Sequence, residues 1–398
     1  MSNLLFEQAK PILQHIKSQG YEAYFVGGSV RDYLMNKDIH DIDITTSATP
    51  DEIESIFSKT IPIGKAHGTI NVLYQDEAYE ITTFRTEGDY DDHRRPNDVA
   101  FVRDLYEDVK RRDFTMNAIA MDENYHVIDY FHGQQDIAER IITTVGEASE
   151  RFEEDALRII RGLRFQAQLA FHIETNTYRA MQQQMSHISF LSIERIVVEL
   201  KKLVQGQHVS VSFKNMKQLK AFTYIPFFQQ SNMDSITITE PISFNLFIAI
   251  IQVKQSTELS LAQLKISNQE KHTIHALSQL MSEIGELQSK ATLKRIVYDY
   301  DMKLLLELVT HRTLLEANQI KLPSPLIFNK ATLAETAKQL PIDTRKALAV
   351  TGKDLLAHLQ QPSGPWMKDI LRKIELAVIQ GEVSNCKTEI LEWVDNNV

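Results

Sequence analysis

EAYFVGGSVRDYLMNKDIHDIDIT, residues 22–45, is the stretch on which the fold turns. A β-like run, EAYFV (22–26), enters Gly27–Gly28. A helical segment with Arg31 and Asp32 follows, and a second β-like run, DIDIT (41–45), carries Asp41 and Asp43 around a single isoleucine. Paired glycines let backbone approach a ligand with no Cβ in the way. Helix N-terminal amides favour an anion, and Arg31 adds positive charge in the first turn. Ser29 and Asp32 stand at capping-box spacing, so Ser29 is expected to cap this helix. Taken alone, Gly28 and Arg31 read equally well as a phosphate-binding turn or as a plain tight turn.

The next strand shifts that balance. Strand alternation puts Asp41 and Asp43 on one face, ~6.5 Å apart at Cα. Two such carboxylates repel each other and lose solvation unless a cation sits between them. Hard oxygen ligands suit Mg²⁺, with Mn²⁺ also acceptable, and two ions roughly 4 Å apart would serve a phosphoryl-transfer reaction. The competing reading is an edge strand with solvated aspartates. The glycine turn just upstream favours the metal site.

Outward from this segment, residues 1–145 alternate short β-like runs with helical patterns. Further strands are expected at TINVLY (69–74), YEITTF (79–84) and HVIDYF (126–131), punctuated by glycine and proline. From about residue 147 the texture changes to long apolar-periodic stretches such as SIERIVVELKKLV (192–204) and WMKDILRKIELAVI (366–379). The expected architecture is an α/β head followed by an all-α remainder. The boundaries fall at a head of 1–146, a helical neck of 147–205, a helical body of 206–325 and a helical tail of 326–398.

Bulk properties agree with a multi-domain protein. A chain of 398 residues exceeds one compact core. The single cysteine, Cys386, excludes an internal disulfide framework and a thiolate zinc cage. It suits a reducing cytoplasm. The N-terminus reads as an amphipathic helix rather than a signal peptide, and no segment reaches the length of a membrane span. The net charge of −10 is uneven. Residues 1–150 hold 14 Lys/Arg and 28 Asp/Glu, a net −14, and residues 151–398 hold 29 and 25, a net +4. A metal-mediated nucleotide site fits the acidic front and a polyanion fits the back, though ordinary surfaces would give the same balance.

The glycine turn followed by Asp-x-Asp resembles the nucleotidyltransferase superfamily, whose third carboxylate usually comes from a neighbouring strand. Glu80 is the candidate here, with an outward-facing strand glutamate as the alternative. The ordered series RRDFTMNA (111–118), DYFHGQQDIAER (129–140), EEDALRIIRGLRF (153–165) and SIERIVVEL (192–200) narrows this. Together these motifs resemble the class II CCA-adding enzymes and the related bacterial poly(A) polymerases, over residues 22 to about 204. The resemblance implies a nucleotidyltransferase head with a mixed sheet. It implies tRNA as partner, CTP and ATP as substrates, and Asp41 and Asp43 as the catalytic metal ligands for in-line attack by the tRNA 3′-hydroxyl on the α-phosphate. Gly28, Arg31 and Arg112 would hold the triphosphate. Asp113 and Asn117 would read the ribose or brace the site. Asp129, Gly133, Asp136 and Arg140 look structural.

Asp155 and Arg158 are three apart, on one face if both are helical. Their bland fate is a solvated ion pair. Their functional fate is a protein template. A carboxylate accepting from an exocyclic amine and a guanidinium donating to the adjacent ring nitrogen suit cytosine and adenine, and oppose guanine and uracil. Steps of three turn a helix by about 300°, so Arg161 and Arg164 drift around it. Arg161 is placed near the nucleotide, and Arg164 is assigned there by the resemblance.

Within the superfamily, CCA addition, CC-only addition and poly(A) tailing compete. The charged segment TFRTEGDYDDHRRPNDVAFV (83–102) resembles the loop associated with the switch from C to A, although an inert loop would look alike. The small positive balance after residue 151 disfavours general RNA tailing. A non-catalytic RNA-binding protein on this scaffold should have lost Asp41, Asp43 or Asp155, and all three remain. A homodimer is compatible with the sequence.

Overall fold

The computed structural model describes residues 3–398 apart from 88–89, 92–94, 97–98, 256–258, 286 and 288. Two compact units emerge. The first comprises Met1–Met233 with Ile238–Phe244 and Ser260–Lys265. The second comprises Asp234–Thr237, Asn245–Leu259 and Ile266–Val398.

The first unit begins with α1 (Asn3–Ser18), β1 (Ala23–Val26), α2 (Gly28–Leu34), β2 (Asp43–Thr46) and α3 (Pro50–Ile56). Strands β3 (Thr60–Ile61), β4 (Thr69–Tyr74) and β5 (Glu77–Thr83) follow, then α4 (Leu105–Lys110), β6 (Ile119–Met121), β7 (Val127–Asp129) and α5 (Gly133–Glu139). Seven strands form one mixed sheet in the order β7-β6-β1-β2-β5-β4-β3, in which only β2 and β5 pair in parallel. One face packs Phe25, Ile44, Ile70, Ile81, Ile119 and Met121 against Phe6, Ala9, Leu13 and Ile16 of α1. Their three- and four-residue spacing is why α1 is amphipathic. The other face packs Val26 and Ala120 against Leu105 and Val109 of α4. Burying each such large apolar side chain contributes about 1.5–3 kcal/mol.

Register explains where the site lies. Val26 pairs with Asp43 across β1 and β2, so the chain leaves β1 into Gly27 just where β2 begins. Glu80 on β5 is the register partner of Asp43 on the other side.

The strand expected at 41–45 is corrected: it begins only at Asp43. Its neighbour β1 stops at Val26 and turns away at Gly27 (φ +72), so on that side nothing remains for Asp41 to pair with. Strand β6, buried on both faces, lacks the alternation that would have marked it. Of the charged segment 83–102, Arg85–Glu87 pairs antiparallel with Val99–Phe101, and residues 88–89, 92–94 and 97–98 lie outside the described residues.

Beyond the head come α6 (Ala148–Glu154), α7 (Leu157–Leu169), α8 (Thr175–Gln184) and α9 (Ile193–Val204). The departure from an all-helical remainder is a two-residue parallel pair, Ile141–Ile142 with His172–Ile173. Helix α7 sits close to the RRDFTMNA segment because Gly162 has no side chain. A Cβ there would meet the Phe114 ring at 3.0 Å and Met181 Cε at 2.5 Å. The second unit is helical. Its Lys290–Asp299 and Trp366–Gln380 helices are tied by buried Glu375, which accepts two bonds from Arg345 and one from Tyr298.

Candidate active site

Gly27 is buried, with a positive φ that L side chains rarely adopt. A Cβ on it would lie 3.0 Å from Arg112 Nη1 and 3.4 Å from Asp43 Oδ2. The missing side chain thus lets a guanidinium and a carboxylate close on the turn backbone, where even a methyl group would be crowded. Asp43 is open to solvent yet crowded by protein. Burial raises its pKa first, then the Asp41 charge. Arg112 opposes the rise and Glu80 adds to it. Asp41 itself is exposed, in the coil before β2.

Asp41, Asp43 and Glu80 offer only hard oxygen donors with excess negative charge, a chemistry that fits Mg²⁺ or Mn²⁺. Among the described residues no group of three or more His, Cys, Asp or Glu is gathered closely enough to enclose a metal ion. Glu80 neighbours Asp43 in register without completing such a cluster.

The arginines differ in how fully they are engaged. Arg31 is 7% exposed and gives Nε and Nη2 to Asp32 at 2.9 and 3.0 Å and Nη1 to Asn117 Oδ1 at 2.7 Å. Its Nη2 lies 3.6 Å from the Cβ position of Gly28. The capping role expected for Ser29 is overturned. Gly27 occupies the N-cap, and the Ser29 hydroxyl donates back to the Val26 carbonyl at 3.0 Å while Asp32 serves Arg31. Arg112 makes only long contacts, 3.4 Å to the Asn117 carbonyl and 3.6 Å to Asp108, and its buried Nε has no hydrogen-bond partner. Asp108, which sequence reasoning missed, is fully buried. It holds Arg111 at 2.8 and 3.0 Å and accepts from Thr45 of β2 at 3.2 Å.

A polar chain runs from the turn into the helical part. Asn117 receives Arg31 and donates to Asp113 Oδ1 at 3.0 Å, and Asp113 Oδ2 accepts from Arg161 Nε at 2.7 Å. Arg161 reaches Glu199 on α9 at 3.6 Å, and Glu199 also takes Arg164 Nε at 2.8 Å. Arg164 stacks on Phe165, 3.6 Å from its ring centroid, and burial lowers its pKa despite Glu199. Sequence reasoning missed Glu199, which lies within SIERIVVEL. Its signal was a carboxylate on the apolar face of an amphipathic helix.

Asp155 and Arg158 do not share a helix. Helix α6 ends at Glu154, Asp155 has extended backbone (φ −138, ψ 102), and α7 starts at Leu157. The cause is local. Asp155 Oδ1 accepts the Leu157 N–H at 3.0 Å, a side chain-to-backbone bond that competes with the helical ladder. Nor do the two pair with each other. Asp155 Oδ2 takes Arg195 of α9 at 2.7 Å, and Arg158 gives Nη1 to Glu154 at 2.6 Å and Nη2 to the Arg111 carbonyl at 2.9 Å.

The 129–140 motif is built as a brace. Asp129 accepts the Gly133 and Gln134 amides, each at 2.9 Å. A Cβ on Gly133 would sit 2.2 Å from the Thr115 carbonyl oxygen.

Comparison with known proteins shows the family. Residues 23–143 match the family described as Poly A polymerase head domain, 170–231 the probable RNA and SrmB-binding site of polymerase A, and 239–394 the putative tRNA nucleotidyltransferase domain 2. The chain is 58% identical over 398 residues to CCA-adding enzymes of Staphylococcus epidermidis and Staphylococcus aureus (strain Mu3), covering all of both chains. It superposes on the Bacillus stearothermophilus CCA-adding enzyme solved in complex with CTP with a TM-score of 0.84 at 34% identity, covering 99% of this chain and 97% of that one. Among the described residues no helix is long and apolar enough to cross a membrane. These relatives favour CCA addition over CC-only or poly(A) synthesis, and the chain belongs to the CCA-adding enzymes, the tRNA nucleotidyltransferases that build the CCA end of tRNA.

Proposed function

We propose that CTP and ATP bind with their phosphates at the Gly27–Gly28 turn, and that Asp155 and Arg158 select the base. The observation that carries this is the meeting of Arg112 Nη1 and Asp43 Oδ2 at the bare backbone of Gly27. A phosphate at that turn would lie beside a weakly engaged guanidinium and the carboxylate proposed to hold the metal. Gly28 and the start of α2 supply backbone approach, and Arg31, anchored by Asp32 and Asn117, sets the positive charge beneath that turn.

Asp41 and Asp43 would hold Mg²⁺, or Mn²⁺ in its place. The metal pair, when bound, supplies charge neutralisation at the attacking and leaving oxygens. The chain's own residues orient the rest. Asp113 and Asn117 brace Arg161 and Arg31, so that the phosphate turn and the base-reading region keep one spacing. Asp155 accepts from the exocyclic amine of C or A. Arg158 exchanges one of its present bonds for one to the ring nitrogen. Arg161 and Arg164 lie behind this pair, Arg161 nearer the nucleotide. The division into head (1–146), neck (147–205), body (206–325) and tail (326–398) then assigns nucleotide chemistry to the first two parts. The tRNA lies along the helical remainder, whose charge is net positive.

Incubating purified protein with a tRNA lacking its CCA end, Mg²⁺ and labelled nucleoside triphosphates, singly and together, tests this reading. Incorporation of C, C and then A, followed by arrest, is expected. A long A tail, or no incorporation at all, defeats it.

A further inference from the structure

We propose that Arg195 is a positioning residue for base choice, acting through the carboxylate of Asp155. The inference rests on the base-reading role given above to Asp155 and Arg158.

Asp155 lies where the helical ladder is broken, so its backbone does little to fix its side chain. The Leu157 N–H holds Oδ1 at 3.0 Å, which alone lets the carboxylate swing about that bond. Arg195 holds the other oxygen at 2.7 Å, and two donors from two helices define the carboxylate plane. Each carboxylate oxygen offers about two lone-pair sites, so acceptor capacity remains for an incoming amine. A fixed acceptor opposes the carbonyl of guanine or uracil with lone pair against lone pair. An acceptor free to turn aside would let that carbonyl in.

The arrangement extends along α9. Arg195 and Glu199 are four residues apart on one helical face, turned to the same neighbouring segment. Arg195 meets the acid of the base-reading pair, and Glu199 meets the two arginines behind that pair, Arg164 at 2.8 Å and Arg161 at 3.6 Å. Helix α9 thus presents Asp155, Arg161 and Arg164 each with the opposite charge. The Arg195 and Asp155 side chains are 25% and 18% exposed, so their pair is partly open to solvent, not in the core. A variant at 195 is expected to fold.

The test measures kcat/KM for each of the four nucleoside triphosphates on tRNA lacking its CCA end and on tRNA ending in CC. Wild type is compared with R195A, R195K, D155A and the double variant, with thermal unfolding in parallel. R195A is expected to raise UTP and GTP use relative to CTP and ATP by roughly tenfold, the scale of one lost charge-assisted contact. R195K should fall between R195A and wild type. Adding R195A to D155A should change selectivity no further, because the effect passes through Asp155. A uniform loss of rate in R195A with unchanged base preference, alongside relaxed preference in D155A, overturns the role of Arg195 and leaves base reading intact. Unchanged preference in D155A removes the base-reading assignment, and this inference with it. If R195A does not fold, R195K decides: intermediate discrimination supports the proposal and wild-type discrimination sinks it.

Discussion

Arg161 grips a single oxygen of Asp113, with Nε at 2.7 Å and Nη2 at 2.5 Å, while Asp113 keeps only 8% of its surface exposed. The other oxygen takes the Phe114 amide at 2.8 Å and Asn117 at 3.0 Å. Burial alone would raise the Asp113 pKa. The Arg161 charge and these bonds outweigh it and hold the group down to about 2, from 3.8. The folded value lies below the unfolded one, so the stabilisation is complete above pH ~4 and fades as pH falls toward 2. Asp113→Ala should cost about 2–4 kcal/mol at neutral pH, less than a fully enclosed pair because Arg161 keeps about a third of its side chain accessible. Urea unfolding at pH 7 and pH 3 checks this. The gap between wild type and Asp113→Asn should narrow at the lower pH, and a constant gap would contradict the assignment.

Gly27→Ala should cripple transfer with little loss of nucleotide-free fold. The methyl group would sit 3.0 Å from Arg112 Nη1 and 3.4 Å from Asp43 Oδ2, and the φ of +72 adds strain of order 1 kcal/mol. Arg112 is the long, movable partner, so it gives way first and is displaced from the turn where phosphate would meet it. A variant with near-normal kcat/KM would show that phosphate does not approach there.

Arg112 separates binding from folding. Its contacts at 3.4 and 3.6 Å are weak, and Asp108 stays satisfied by Arg111 without it. Arg112→Ala should therefore lower kcat/KM for both CTP and ATP by roughly 10- to 100-fold, the scale of a charged hydrogen bond. The unfolding midpoint should move little. Arg112→Lys should recover part of the loss, because a point charge still reaches phosphate without the fork. Equal loss of stability and activity would mean that Arg112 only braces.

The sequence carried some of this and hid the rest for physical reasons. Gly27–Gly28 and Asp43 were legible because their meaning is local: a strand end, a missing Cβ and a carboxylate. Strand β4 matched its expected bounds, since TINVLY alternates between a buried face and a more open one. Strand β6 escaped because both its faces are buried. The pairing of Asp155 with Arg195, 40 positions away, could not be read from helical spacing, which offers only neighbours three or four apart. That same spacing suggested a shared face for Asp155 and Arg158, which the Leu157 amide undoes by drawing Asp155 out of the helix. Asp108 and Glu199 are anchors whose partners come from other elements, and in the sequence each looks like one more acid.

Asp43 gives the sharpest separation of catalysis from stability. Its neighbours Asp41 and Glu80 both disfavour its charge, and Arg112 opposes them only in part. Asp43→Asn keeps the shape and removes the repulsion, so in the presence of a chelator the variant should unfold at the same temperature as wild type or higher. Asp41→Asn should behave alike. Added Mg²⁺ should raise the midpoint of wild type, because a ligand that binds only the folded state stabilises it. It should do little for either variant. Nucleotide transfer should fall on the order of 10²- to 10³-fold or more in both, while tRNA binding, which the proposed function assigns to the helical remainder, should persist. If Asp43→Asn both loses stability under chelation and retains transfer, the carboxylate is a structural anchor rather than a metal ligand, and the active site must be sought elsewhere on the head.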